Sequence, residues 1–246
     1  MIIIIFLRSN VNENKEVFRG KQRKKKKTVA EVRLTAATFD DIIKSVIKLS
    51  MRKQIKFNNG RLKVLQISDL QDNRFTCVDT LRFMEAAVKN IKPDLIVFTG
   101  DQLDVVDLWG KGEKCRENVE KAINRLFSVF ESFDIPFVLT FGNHDRETGL
   151  PNEEQAKIYA KMKNCICFDD LNDGRPDAGT FNVPIMSSDG SRTAMNIYVF
   201  DTGSKTNGVY GDVRKEQLEW LDKKSREVDA DSIVFQHIPV DEIYQL

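Results

Sequence analysis

Two rhythms of apolar positions alternate along most of this chain. Short runs such as Leu62-Lys63-Val64-Leu65-Gln66-Ile67, Leu95-Ile96-Val97-Phe98 and Pro136-Phe137-Val138-Leu139-Thr140-Phe141 have the length and β-branched or aromatic content of strands. Between them apolar residues recur three and four apart, over residues 78–91 and again through Val119, Ile123, Leu126, Phe127 and Phe130, which predicts amphipathic helices. The pattern continues with a helix near 153–163, strands near 181–185 and 196–200, a helix near 215–227 whose Leu218 and Leu221 are expected in the core, and a strand at 232–235. Strands alternating with helices from residue 62 onward specify an α/β fold.

Ahead of that region the pattern differs. Thr38 and Asp41 resemble a capping box, and Ile42, Ile43, Val46, Ile47 and Leu49 predict one helix, ended by the turn signal Lys56-Phe57-Asn58-Asn59-Gly60. Charge divides at the same place. Residues 1–55 carry 14 Lys and Arg against 5 Asp and Glu, a net of +9, and residues 56–246 carry 24 against 32, a net of −8, so the overall +1 hides a basic lead joined to an acidic domain. Seven of the nine residues 19–27 are basic, which predicts a solvated, disordered linker with nucleic acid or an anionic lipid surface as the alternative contact; no aromatic residue interleaves it to stack on bases. The two units are therefore a partly disordered basic segment over 1–55 and a globular domain over 56–246.

Composition narrows the class further. With 41% hydrophobic and 30% charged residues the chain has an ordinary globular composition, and a domain of about 200 residues buries roughly 70% of its unfolded surface without disulfides. The apolar start Met1–Leu7 is shorter than the core of a signal peptide, and no run approaches the roughly 18 apolar residues of a membrane helix. Cys77, Cys115, Cys165 and Cys167 form no disulfide-scaffold spacing, so reduced thiols and a cytoplasmic location are expected; Cys165 and Cys167 share one strand face.

The candidate chemistry stands behind the strands. Ser68-Asp69-Leu70-Gln71 follows the first, Gly100-Asp101-Gln102-Leu103-Asp104 the second, Gly142-Asn143-His144-Asp145 the third and His237 the last, and these are the chain's two histidines. Ligands of open α/β sheets bind at such strand ends. Carboxylate and amide oxygens with imidazole nitrogens can hold two divalent cations about 3.5–4 Å apart, a carboxylate such as Asp101 having lone pairs for both.

On these motifs residues 56–246 resemble the calcineurin-like metallophosphoesterases, whose order Asp-x-His, Gly-Asp-x-x-Asp, Gly-Asn-His-Asp, lone His is matched by Asp69-Leu-Gln71, Gly100-Asp101-Gln102-Leu103-Asp104, Gly142-Asn143-His144-Asp145 and His237. The contexts Pro93–Asp101 and Gln217–Leu221 are similar to a subgroup related to purple acid phosphatases. The resemblance implies a four-layer α/β/β/α sandwich and hydrolysis of phosphate monoesters or diesters by a metal-bound hydroxide. It further implies two divalent metals (manganese favoured over iron or zinc), with Asp69 and Gln71 on the first, Asp101 bridging, and Asn143 and His237 on the second. His144 is implied as the general acid beside the phosphate and Asp104 as acceptor of its other N–H, in the place of the iron-bound tyrosine of true purple acid phosphatases.

Two departures qualify the transfer. Gln71 stands where the family has histidine, a neutral and weaker donor that suits a harder ion such as manganese. The chain reaches Leu246 before the family's terminal Gly-His-x-His, so the sheet is expected to be incomplete at its C-terminus. The alternatives are a non-catalytic scaffold of the same fold with a degraded metal site, and a nucleic-acid-associated protein acting through residues 19–27. Arg146 is expected to reach a phosphate or lie in solvent, Asp145 to hold its loop by backbone hydrogen bonds, and Lys205, Asn207 and Tyr210 to border the pocket.

Overall fold

A computed structural model describes residues 2–8, 54–104, 109–168, 173–240 and 242–243. The basic run 19–27 and the helix expected after Thr38 lie outside the described residues. Among those residues no helix is long and apolar enough to cross a membrane.

Two four-stranded sheets pack face to face. The first has the order β1 (Ile2–Arg8), β3 (Arg61–Ile67), β4 (Leu95–Thr99), β5 (Phe137–Thr140); β1 runs antiparallel to β3, and β3, β4 and β5 are parallel. The second has the order β2 (Ile55–Lys56), β6 (Phe181–Met186), β7 (Thr193–Phe200), β8 (Asp231–Gln236), with β7 antiparallel to β6 and parallel to β8. Because β4 and β5 are covered on both faces, all nine of their residues are buried, which is why their sequences read as unbroken apolar runs rather than alternating ones.

Helices α1 (Val78–Ile91), α2 (Glu113–Ser132) and α3 (Asn152–Tyr159) belong to the first sheet, and α4 (Lys215–Val228) to the second. On the first sheet's helical face Phe98 of β4 meets Phe127 and Phe130 of α2 at ring-centroid distances of 4.8 and 5.0 Å and Phe137 of β5 at 5.9 Å. Tilted and edge-on pairs of this kind each add about 0.5–1.5 kcal/mol beyond the area they bury. On the opposite side of the molecule Trp220 of α4 stands edge-on to Tyr198 and Phe200 of β7, while Ile197 and Val199 face the first sheet in the common core. The result is the expected α/β/β/α layering.

Two observations depart from the sequence reading. The apolar start, grouped by its charge context with residues 1–55, contributes β1, paired residue for residue with β3 from Ile2↔Ile67 to Arg8↔Arg61. A run of seven residues is a usual length for an edge strand. Leu218, expected in the core, is 52% exposed. The helix is anchored instead through buried Gln217 and through Trp220, and Leu218, one 100° step from Gln217 and two from Trp220, turns to solvent.

Candidate metal centre

The parallel register of β3, β4 and β5 brings three strand ends to one edge, and β8 of the second sheet delivers His237 to the same place. The loops there are laced by backbone hydrogen bonds: Asp69 N–H donates to Gly100 O (3.1 Å), Gln71 N–H to Asp101 O (2.9 Å) and Asp72 N–H to Gln102 O (3.1 Å). Asp145 locks the arrangement. Its fully buried carboxylate accepts the amides of Asp101 (2.8 Å), Gly142 (2.8 Å), Gln102 (3.0 Å) and Leu103 (3.1 Å), the structural role expected of it.

Two glycines are required by contact. A Cβ on Gly142 would lie 2.1 Å from Asp101 Oδ1, and one on Gly100, at φ +101°, would lie 2.8 Å from His237 Nδ1. Asp69, Gln71 and Asp101 all hold positive φ (58°, 45° and 54°), a conformation costly for side chains other than glycine and concentrated at functional sites.

Asp69, Asp101, Asn143 and His237 bring acceptors together. His237 Nδ1 lies 2.9 Å from Thr99 O, which commits its proton there and turns Nε2 inward. Nε2 then faces Asn143 Oδ1 at 3.2 Å and Asp101 Oδ2 at 3.3 Å. A ring nitrogen and two oxygens this close repel unless a positive charge, a proton or a cation, sits among them. Asp69 completes the group, with ligand atoms of Asp69, Asp101 and His237 all within 4.8 Å of one another. Asp101 Oδ1 is held by the His144 amide (2.8 Å), whereas Oδ2 faces His237 and, at 3.4 Å, the Gln71 side-chain nitrogen. The set of two carboxylates, one amide oxygen and one imidazole fits a divalent cation of intermediate hardness.

The local field agrees with that reading. Burial pushes the Asp101 carboxyl up, but its hydrogen bond to His237 and the charges of both histidines leave it below its ordinary 3.8. For His237 burial pulls the imidazole down, and the Asp101 bond and charge, with Asp69 and the Thr99 carbonyl, outweigh it and leave it above 6.5. Asp145 is lifted by burial to about 7 against the pull of its amide donors.

Asp69, Gln71, Asp101, Asn143, His144 and His237 all line one cavity of about 430 Å³, together with Gln66, Tyr210 and Ile238. Asp104 is not among its lining residues. Its carbonyl accepts the Trp109 indole N–H, and the carboxylate beside His144 Nδ1 is Glu147 Oε2, at 2.8 Å, one turn along the 3-10 helix Asp145–Thr148. A 3-10 turn places residue i+3 over residue i, which sets Glu147 over His144 in His144-Asp-Arg-Glu147. Arg146 neither reaches the cavity nor lies free but pairs with buried Asp201 at 2.6 Å. Asp72, not singled out by its sequence context, caps the approach to α1 by accepting the Cys77 amide. Lys205 and Asn207 do not line the cavity; Tyr210 does.

Three kinds of comparison relate the chain to known proteins. Residues 62–246 match the calcineurin-like phosphoesterase family. The chain is 29% identical, in an alignment covering 78% of its length, to a protein of Arabidopsis thaliana named probable inactive purple acid phosphatase 14, and 26% identical, again over 78%, to probable inactive purple acid phosphatase 29 of the same plant. It spans 57% and 58% of those relatives. A solved structure described as a dimetal phosphatase from Danio rerio superposes with a TM-score of 0.47 at 14% identity, covering 72% of this chain and 69% of that one.

Proposed function

The chain belongs to the calcineurin-like phosphoesterase family, and on that premise we propose that its strand-end cluster holds two divalent cations, manganese foremost, and hydrolyses phosphate esters. The observation that carries the reading is that Asn143 Oδ1 and Asp101 Oδ2 each lie within 3.3 Å of His237 Nε2, acceptors turned on one ring nitrogen beside Asp69. When bound, such cations act as Lewis acids toward a phosphoryl group and ready a water for attack at neutral pH.

The chain's own residues supply the rest. Asp101 presents Oδ2 to both sides of the cluster, toward Gln71 and toward His237, and is kept from rotating by the His144 amide on Oδ1. Thr99 O fixes the ring of His237. His144 stands at the rim with Nδ1 held by Glu147 and Nε2 on the cavity side, 3.9 Å from Asp101 Oδ2. The Glu147 carboxylate fixes the ring's direction, so that a proton carried on Nε2 can pass to a departing ester oxygen.

A second reading, a non-catalytic scaffold of the same fold, is favoured by Gln71: its amide takes up part of the Asp101 Oδ2 lone-pair space that a cation needs, and relatives carry names marked inactive. Metal-stripped protein restored with Mn2+ and assayed on aryl phosphate monoesters and diesters separates the two. Hydrolysis that needs the metal and falls at least a hundredfold in His144→Ala, the scale of general acid catalysis, supports the enzyme. Metal-loaded protein without turnover supports the scaffold.

A further inference from the structure

The wall of the metal cavity opposite the loops carries a feature that no ligand role accounts for. After β7 the chain makes a small hairpin: Thr206 and Val209 exchange both backbone hydrogen bonds (2.8 and 3.0 Å), and Asn207 and Gly208 between them both have positive φ (51° and 84°). This is the tight turn that Asn-Gly favours. Both feet of the hairpin are fixed. Gly203 N–H donates to Asp201 Oδ1 (2.9 Å), and Gly211 packs so closely on Thr202 that a Cβ would fall 2.0 Å from its carbonyl oxygen. The hairpin's outer strand holds two large side chains in solvent, Val209 (71% exposed) and Tyr210 (54%).

Tyr210 is the member that reaches the site. It lines the same cavity as Asp69, Asp101, Asn143 and His237, in company with Ile238 and Pro239. Lys205 Nζ lies 4.7 Å from its ring centroid, close enough for a cation–π contact that restrains the ring. Pro239 and Ile238 are placed by an independent tie, the Ile238 amide donating to Thr202 Oγ1 at 3.1 Å. An aromatic ring with an apolar wall beside it, both pinned to the backbone of the cavity mouth, is the chemistry that accepts a flat ring one bond away from a phosphoryl group held at the metal cluster.

We infer that Tyr210 is a specificity-determining residue, and that the preferred ester carries an aromatic or heteroaromatic ring close to phosphorus. The inference rests on the phosphoesterase reading for the position of the phosphorus, and its test is made by binding rather than turnover so that the two can fail separately. Calorimetric titrations of the Mn2+-loaded full chain with phenylphosphonate and with methylphosphonate compare ligands alike in charge that differ in the ring.

Wild type should bind phenylphosphonate roughly threefold to tenfold more tightly than methylphosphonate, the range of one aromatic contact. Tyr210→Ala should bring the two within about twofold while methylphosphonate affinity stays where it was, and Tyr210→Phe should keep the wild-type ratio. A wild type with equal affinities, or a Tyr210→Ala protein that keeps the preference, overturns the assignment. Phosphonates that bind through Tyr210 in a protein with no ester turnover overturn the hydrolase reading alone; failure of both ligands to bind the loaded chain overturns both.

Discussion

Asp145→Asn tests how the metal loops are held in place. The carboxylate accepts four amides from two loops at 2.8–3.1 Å with no solvent access. An Asn of the same shape keeps one acceptor oxygen and so two of those bonds, but turns an NH2 toward the other two amides. Two buried N–H groups lose their acceptor, at about 1–3 kcal/mol each, for a total near 4 kcal/mol. For a domain of this size that corresponds to a fall in Tm of about 8–16 °C. The comparison belongs at pH 8, above the value of about 7 to which burial lifts this carboxyl. A carboxyl raised in the folded state adds stability that is full in acid and is lost as pH rises through its folded value. Lowering the pH toward 5 adds stability to the protein with titratable Asp145 and none to the Asn variant, so the gap should widen. Thermal unfolding followed by circular dichroism reads both effects. A Tm loss under about 2 °C at pH 8, or a gap that narrows in acid, would refute the anchoring role.

Other consequences follow from the same geometry. Gly142→Ala, whose Cβ would meet Asp101 Oδ1 at 2.1 Å and the Asp101 backbone nitrogen at 2.6 Å, should weaken Mn2+ binding at least tenfold by calorimetry and lower Tm as well. Glu147→Ala should cut kcat about tenfold at unchanged metal content; orientation of an acid is typically worth that much or more. Because His237 must shed its proton to ligate and sits above its ordinary 6.5, Mn2+ affinity should fall from pH 8 to pH 6 with proton release on binding. In metal-free protein the same raised value gives stability that is present below about 6.5 and is lost as pH rises past it, a slope His237→Asn should flatten. Phe127→Ala, which empties the centre of the aromatic cluster against Phe98 and Phe137, should cost about 3–5 kcal/mol in urea unfolding.

Much of the molecule was legible in its sequence because apolar rhythm reports burial directly. The runs at β3, β4 and β5 and the stripe of α2 carry their burial in composition, and the strand-end rule then located Asp69, Asp101, Asn143, His144 and His237 in one cavity. What escaped depends on partners distant in sequence or on local turn geometry. Strand β1 is a marginal apolar run until β3 is known to offer it an edge. Glu147 stands beside His144 Nδ1 because one 3-10 turn brings it there, a contact that strand and helix rhythm does not report. Arg146 looks free until Asp201, 55 residues on, is seen against it. Leu218 belongs to an apolar stripe that the helix only partly buries, since Gln217 and Trp220 set its contact with the sheet.

The central claim is that Asp69, Asp101, Asn143 and His237 form a metal centre with Asp101 at its heart. Titration of metal-free protein with Mn2+, followed by the loss of the free-ion signal in electron paramagnetic resonance, tests it most directly. Saturable uptake approaching two ions per chain, reduced to one or none by Asp101→Asn in a protein that remains folded, is the result the account predicts. No uptake by wild type, or uptake that Asp101→Asn leaves intact, would contradict it.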